Sequence, residues 1–171
     1  MLPEFIPHYS VGPFLGFAAN ATMTILCLVT FVLYYHYRPL RSLFLFYLFS
    51  TFLFLGWVIY GLQKSPESIL LGYRIDLAAL ALLPTSWAWF DSALSNERVG
   101  WLQWSMTGIS LILAALALFG QGPLFLGLPL EIHGIAEDIM RPQSKILKPL
   151  VYLFCLITCL FYFLRTIIRL W

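Results

Sequence analysis

Five long apolar stretches dominate this sequence and limit the folds that are open to it. They extend over about residues 11–37, 42–63, 68–94, 101–119 and 146–170. About 20 mostly apolar residues cross a bilayer as a helix, so each stretch is long enough for one crossing. The stretches are continuous and do not alternate in the short segments typical of a membrane barrel. We therefore predict an all-α polytopic membrane bundle with five transmembrane helices, forming a single domain over residues 1–171.

The composition agrees with residence in a bilayer and excludes one class of partner. Hydrophobic residues make up 61% of the chain and charged residues only 11%, against about 25% charged residues in soluble domains. The net charge of +2 is small and no basic run is present, so nucleic acid is not expected as a partner. The first ten residues carry Glu4 and no Lys or Arg, so we expect the first helix to be retained and not cleaved as a signal peptide.

Short polar breaks separate the first four stretches. HYRPLR (36–41), QKSPES (63–68) and SNERVG (95–100) contain charged residues together with proline or glycine, a composition that favours turns. Helices joined by short turns are usually antiparallel neighbours. The first four helices are therefore predicted to form two successive hairpins.

The fourth connection, residues 120–145, is long and contains several glycines and prolines. Connections of this length are usually functional or disordered. Within it, the apolar and polar residues of LEIHGIAEDIM (130–140) separate onto two faces at helical spacing, which predicts a short amphipathic helix on the membrane surface or over the bundle. We expect this outer loop to contact a ligand or partner through four residues: Glu131, His133, Glu137 and Asp138.

The positions of the basic residues predict an orientation. With the N-terminus outside, the basic residues on the cytoplasmic side are Arg38, Arg41, Arg98, Arg165 and Arg169. Those on the outer side are Lys64, Arg141, Lys145 and Lys148. Cytoplasmic loops carry an excess of Lys and Arg, so we predict an outer N-terminus and a cytoplasmic C-terminus.

Two charged residues, Arg74 and Asp76, lie in the outer half of the third stretch. A carboxylate in the hydrocarbon is costly, so Asp76 needs a partner on another helix, a water-filled cavity or a proton. Arg74 can extend its side chain to the interface, and Glu67 is nearly aligned with it on the same helix. Two hypotheses stay open: a structural pair between helices, or a small polar crevice in which Arg74, Asp76 and Glu67 bind a ligand.

Pro84 lies near the middle of the third stretch. Proline lacks the amide hydrogen that the helix needs, so we predict a kink there. Four tryptophans surround the following connection: Trp87, Trp89, Trp101 and Trp104. Tryptophan is enriched at membrane interfaces, so we interpret them as an inner aromatic belt, with stacking on a cofactor as the alternative.

The sequence contains no pattern typical of an enzyme or of a cofactor protein. It has no glycine-rich phosphate loop, no HExxH and no CxxC. None of the three histidines lies in the middle of a span, which argues against haem or chlorophyll bound through histidine. Cys27, Cys155 and Cys159 lie within apolar stretches, and we interpret them as small buried apolar residues. We expect a protein that is not an enzyme and that binds no metal and no cofactor.

The second and third helices resemble a known family. In FLGWVIYGLQKSPESILLGYRIDLAALALLPTSWAWFD, a tryptophan precedes a short loop, and a mid-span LLP precedes an aromatic-rich end. The residues concerned are Trp57, Leu82, Leu83, Pro84, Trp87 and Phe90. This order resembles the N-terminal seven-helix membrane region of bacterial sensor histidine kinases and diguanylate cyclases.

The resemblance implies a sensory region in a bacterial cytoplasmic membrane. Family members have two more helices and a cytoplasmic output domain. With five predicted helices and its last residue at Trp171, the chain is expected to be either a fragment of a sensor or a related protein without an output domain.

Two non-catalytic functions follow. The first is a sensory or ligand-binding module in signal transduction, whose outer loop and third span contact a ligand that the sequence does not define. The second is an accessory or structural subunit of a multi-subunit membrane complex, such as an energy-transducing or photosynthetic assembly. Lipids and other membrane proteins are the expected partners. A small transporter or channel is less favoured because the sequence shows no internal repeat.

Overall fold

The computed structural model describes residues 11–62, 66–96, 100–122, 127–132 and 140–170 as five helices and a two-stranded sheet. The helices are α1 Val11–Leu33, α2 Arg38–Leu62, α3 Pro66–Leu94, α4 Trp101–Phe119 and α5 Leu147–Leu170. The strands are β1 Gly127–Ile132 and β2 Met140–Gln143. The predicted helical class is confirmed, and the helix ends agree with the predicted stretches to within about one helical turn.

Four of the helices are long and apolar enough to cross a membrane. The candidate spans are Gly12–Leu33, Arg38–Tyr60, Glu67–Leu94 and Trp101–Phe119. Within the described residues, the apolar stretch of α5 is Leu147–Tyr162, which is shorter than the length of about 20 residues that one crossing needs. These four apolar helices indicate an integral membrane protein, and a fifth crossing by α5 stays a prediction.

Helix α3 occupies the centre of the bundle. It packs against α2, α4, α5 and both strands, whereas α1, within the described part of the chain, packs against α2 alone. In an apolar window of 18 residues within α3, 56% of the residues are buried, against 6% in the corresponding window of α1. The buried positions of α3 include several alanines. Small residues let helix backbones approach closely, which matters in lipid because apolar side chains gain little by leaving it.

The main core forms where α3 meets α4 and α5. Its buried residues are Tyr73, Leu77, Ala78, Ala81, Leu113, Ala114, Ala117, Leu147 and Val151. A smaller cluster lies nearer the Leu94 end of α3 and consists of Ala88, Met106 and Tyr162. Packing of α3 therefore extends along most of its length.

Helix α1 contacts α2 through small and polar residues. A Cβ atom on Gly16 would lie 2.5 Å from the ring of Phe54, so the ring occupies the space that a larger residue would need. Further along the same face, the hydroxyls of Thr24 and Thr51 form a hydrogen bond of 3.0 Å. Hydrogen bonds between membrane helices contribute about 0.6 kcal/mol on average, so this contact is a modest one.

Gly56 and Gly72 mark the closest approach of α2 and α3. A Cβ atom on Gly56 would lie 2.6 Å from the backbone nitrogen of Asp76, and one on Gly72 would lie 2.6 Å from that of Tyr60. Because the obstructing atoms belong to the backbone, a larger residue can be accommodated only if the helices separate. This contact fixes the register of the two helices and places Trp57 beside Asp76.

The amphipathic helix predicted over residues 130–140 is wrong at both of its ends. Leu130–Ile132 belong to β1, and Met140 begins β2. The two strands pair antiparallel, with Glu131 opposite Arg141. Residues 133–139 of the predicted helix lie outside the described residues.

The sequence contains the reason for these strands. Pro129 and Pro142 lack the amide hydrogen that a helix interior needs. Leu128, Leu130 and Ile132 alternate with less apolar residues, which is the period of a strand. The later residues of this segment recur at helical spacing, and the prediction followed that spacing instead of the two-residue period of the strand.

Candidate functional site

The carboxylate of Asp76 is buried in the bundle and is bonded to α2. Only 7% of the residue is exposed, and the indole Nε1 of Trp57 donates a hydrogen bond to its Oδ1 at 2.7 Å. An indole N–H can only donate, so a carboxylate oxygen suits it. The sequence left three partners open for Asp76: a group on another helix, a water-filled cavity or a proton. The structure shows the first of these, the indole of Trp57 on α2.

The guanidinium of Arg74 bonds to the end of α4. Its Nη1 donates to the carbonyl of Leu118 at 3.1 Å and its Nη2 to the carbonyl of Gly120 at 3.0 Å. The last carbonyls of a helix have no partner within the helix, and a cation beside them interacts favourably with the helix dipole. Arg74 therefore caps α4 and joins it to α3.

Arg74, Asp76 and Glu67 do not form one constellation. Arg74 bonds to α4 and Asp76 to α2, while Glu67 is exposed at the first turn of α3. Within the part of the chain that the structure describes, Glu67 has no ion pair with Arg74. We refer to Trp57, Arg74 and Asp76 as the Asp76 cluster; ligand binding by this cluster stays a prediction.

Replacing Arg74 with glutamine is expected to lower the free energy of unfolding by about 1 kcal/mol, because two charged hydrogen bonds to carbonyls at the end of α4 are lost. The last backbone bond there, from the Gly120 amide to the Leu116 carbonyl at 2.8 Å, should open more often. Hydrogen exchange of the Gly120 amide in detergent micelles measures this opening. Lys145→Gln, which removes an exposed cation, is the control. Equal exchange in both variants would contradict the capping role.

Two neighbouring helices bond to α3 near Pro84. Proline leaves the carbonyl four residues earlier, that of Leu80, without its usual backbone donor. The thiol of Cys155 in α5 donates to this oxygen at 3.2 Å, and the hydroxyl of Ser110 in α4 donates to the next carbonyl, that of Ala81, at 2.5 Å. Membrane proteins commonly satisfy the backbone at prolines through side chains of neighbouring helices.

This arrangement bears on two expectations. The helix continues through Pro84 from Pro66 to Leu94, and a kink in it stays a prediction. Cys155 was expected to be only a small apolar residue, but its thiol also donates a hydrogen bond. We refer to Pro84, Ser110 and Cys155 as the Pro84 junction.

Removing both donors of the Pro84 junction tests its role. Ser110→Ala with Cys155→Ala is expected to cost about 1 kcal/mol of stability in the natural sequence. In the Pro84→Ala background the same pair of changes should cost less, because alanine at 84 restores the amide hydrogen for Leu80 and replaces the Cys155 donor, while the Ser110 bond to the Ala81 carbonyl is unaffected. Thermal unfolding of the four proteins in detergent gives the comparison. Cys159→Ala, at an exposed cysteine, is the control.

A second polar cluster joins α3, α4 and α5 at the other end of the bundle. Gln103 is 5% exposed, and its Nε2 donates to the carbonyl of Ala88 at 3.1 Å and to the hydroxyl of Ser92. Asp91 and Arg165 form an ion pair of 3.8 Å between α3 and α5. No motif in the sequence predicted this Gln103 cluster. The available signal was an amide and a hydroxyl in mostly apolar helices, which usually mark an interhelical contact.

The four tryptophans of the predicted belt, Trp87, Trp89, Trp101 and Trp104, lie at the same end as the Gln103 cluster. Trp101 is 80% exposed and Trp104 is 61% exposed. Trp89 is held by a hydrogen bond from its Nε1 to the hydroxyl of Thr107 at 2.9 Å and by an edge contact with Trp104. Exposed indoles gathered at one end of a bundle suit the headgroup region of a membrane.

The loop residues expected to contact a ligand or partner are described only in part. Glu131 lies in β1 opposite Arg141, and His133, Glu137 and Asp138 lie outside the described residues. Both strands contact α3, which is the helix that carries Arg74 and Asp76. Within the described ranges, no three His, Cys, Asp or Glu side chains are grouped as metal ligands.

The chain matches no protein-family model, no curated protein and no solved structure. The resemblance to seven-helix sensory regions stays a prediction. Three features of the bundle bear on its function: the Asp76 cluster, the Pro84 junction and the Gln103 cluster.

Proposed function

We propose that this chain is a non-catalytic membrane module of the sensory or ligand-binding type, in which α3 transmits a change in helix packing. The observation that carries the proposal is the Pro84 junction, where α4 and α5 donate hydrogen bonds to carbonyls of α3. A proline leaves a helix with fewer backbone bonds that resist bending. Because the replacing donor belongs to α5 and the hydroxyl on the next carbonyl belongs to α4, a bend in α3 alters its contacts with both helices.

The Asp76 cluster supports a receiving role for the Pro66 end of α3. A hydrogen bond of Asp76 joins this end to α2, and a hydrogen bond of Arg74 joins it to α4. A small polar ligand that competed for either side chain would weaken one of these hydrogen bonds. A ligand shifts a conformational equilibrium only through its different affinities for the two states, and the loss or gain of such a bond supplies that difference.

The Gln103 cluster supports a transmitting role for the Leu94 end, which lies on the cytoplasmic side in the predicted orientation. There, α3 is joined to α4 through Gln103 and to α5 through Asp91 and Arg165. Movement of α3 about Pro84 would reposition both helices at that end. Such sliding and bending of packed helices is a common form of conformational switching.

The experiment begins with purification from the membrane in a mild detergent. The sensory function predicts a protein that is purified alone and whose melting temperature rises with one member of a panel of small charged solutes. Pro84→Ala should retain that shift but lose the accompanying change in tryptophan fluorescence, since the indoles lie mainly at the Leu94 end. A protein that responds to no solute and is always purified with a fixed partner would overturn the proposal.

A second function, an accessory or structural subunit of a membrane complex, is favoured by the exposure of α1. Only 6% of the residues in its apolar window of 18 residues are buried, and it packs against α2 alone within the described residues. Lipid covers such a face in an independent sensor, whereas another subunit covers it in a complex. Purification with a partner at constant stoichiometry, lost on substitution of exposed α1 residues such as Leu15 and Ile25, would support the subunit.

A further inference from the structure

An open cleft lies between α2 and α4 at the end of the bundle that carries the four tryptophans. Within the described residues, α2 and α4 do not pack against each other, and α3 forms the floor between them. The cleft has a volume of about 540 Å³, and its lining includes Arg38, Arg41, Leu45, Trp89, Ala93 and Thr107. This volume lies within the range of about 300–1,000 Å³ that is usual for small-molecule sites.

The cleft carries positive charge that the described residues do not neutralise. Arg38 and Arg41 line it, and none of its described lining residues is acidic. The nearest acidic residue of α3 in sequence, Asp91, forms an ion pair with Arg165 of α5. The Nη2 of Arg41 donates to the carbonyl of Tyr35 at 3.0 Å, and its guanidinium lies 5.7 Å from the centroid of the Phe31 ring in α1. A guanidinium has five N–H groups, so these contacts do not use all of its donors.

The position of the cleft matches the headgroup layer of a bilayer. The candidate span of α2 begins at Arg38, that of α3 ends at Leu94, and that of α4 begins at Trp101. The cleft therefore lies at the end of three spans, with its arginines near the interface. Leu45 and the indole of Trp89 provide apolar surface on the side toward the hydrocarbon.

We propose that this cleft binds the phosphate headgroup of an anionic phospholipid. The guanidinium groups of Arg38 and Arg41 would contact the phosphate, and an acyl chain would extend along Leu45 and the exposed faces of α2 and α4. A guanidinium matches a phosphate in charge and in the geometry of its donors, and basic pockets between membrane helices are suited to anionic headgroups. The proposal does not depend on the sensory function.

The first test compares two single variants that remove one positive charge each. Arg38→Gln removes an exposed arginine that lines the cleft, and Lys145→Gln removes an exposed lysine at the opposite end of the bundle. Native mass spectrometry of the purified protein measures retention of phosphatidylglycerol relative to phosphatidylcholine with the same acyl chains. Arg38→Gln should lower this ratio about fivefold, and Lys145→Gln should leave it unchanged. An equal decrease in both variants would indicate only diffuse attraction and would overturn the proposal.

The second test fills the cleft without altering its charge. Ala93→Phe places a large side chain among the lining residues, and it should abolish the preference for phosphatidylglycerol while the helical circular dichroism is retained. Soluble glycerophosphate at equal concentration serves as the control for a phosphate without acyl chains. Retention of the lipid by Ala93→Phe, or equally tight binding of glycerophosphate, would show that a lipid is not the occupant of this cleft.

Discussion

Gly56→Ala is expected to lower the free energy of unfolding by about 3 kcal/mol. Its added methyl group would lie 2.6 Å both from the backbone nitrogen of Asp76 and from the carbonyl oxygen of Gly72. A side chain can rotate away from such a clash, but a helix backbone cannot, so α2 and α3 must separate. Unfolding by sodium dodecyl sulfate in mixed micelles, followed by circular dichroism, measures the loss.

Two other glycines of the same protein serve as matched controls for this prediction. Gly108 in α4 has no atom within 4 Å of an added Cβ, and alanine there should be neutral or should stabilise by up to about 1 kcal/mol. Gly16 in α1 faces the ring of Phe54, which can shift, so Gly16→Ala should fall between the other two. If Gly56→Ala were as stable as Gly108→Ala, α2 and α3 would not be in backbone contact.

A double-mutant cycle on Trp57 and Asp76 is expected to give a coupling energy of about 2 kcal/mol. Trp57→Phe leaves a buried carboxylate oxygen without the donor that lies 2.7 Å away, and Asp76→Ala leaves the indole N–H without its acceptor. In lipid neither group finds water. The double variant should therefore be less destabilised than the sum of the single variants. Urea or sodium dodecyl sulfate unfolding of the four proteins gives the coupling energy.

The cycle needs a control. It also needs a variant that distinguishes a structural role of Asp76 from a role in ligand binding. Trp101→Phe alters a tryptophan that is 80% exposed and should change stability by less than about 0.5 kcal/mol. Asp76→Asn keeps an oxygen acceptor for Trp57 but loses the charge. It should retain most of the stability, so a loss of solute binding in this variant would show a ligand site. Additive effects of Trp57→Phe and Asp76→Ala would refute the hydrogen bond.

The sequence was sufficient to predict the helices but not the partners of their polar residues. Asp76 was recognised as a residue that needs a partner, since a carboxylate in hydrocarbon is costly. The choice of Trp57 depends on the backbone contact at Gly56 and Gly72, and no local pattern encodes that contact. The same holds for Arg74. Its side chain was expected to extend to the interface, on the side of the helix where Glu67 is nearly aligned with it, but it bonds to α4.

The hydrogen bonds from Ser110 and Cys155 to α3 could not be predicted from the sequence for a similar reason. Pro84 identified the place where α3 loses a backbone hydrogen bond, but Cys155, which supplies the replacing donor, lies 75 positions from Leu80 in sequence, and Ser110 lies 29 positions from Ala81. A hydroxyl and a thiol in apolar helices do not reveal which neighbour they face. The cleft between α2 and α4 also requires the tertiary structure, because it exists only where two helices on either side of α3 remain apart.

The amino-acid sequence alone determined that this chain forms long apolar helices, because in lipid the backbone must satisfy its own hydrogen bonds and continuous apolar stretches do so as helices. It did not determine the strands of the fourth connection, where a short alternating pattern overlapped a helical one. The tertiary structure decided that α3 is central and which side chains join it to α2, α4 and α5. That decision depends on the close approach of small residues distant in sequence, a geometric property that the order of residues does not display.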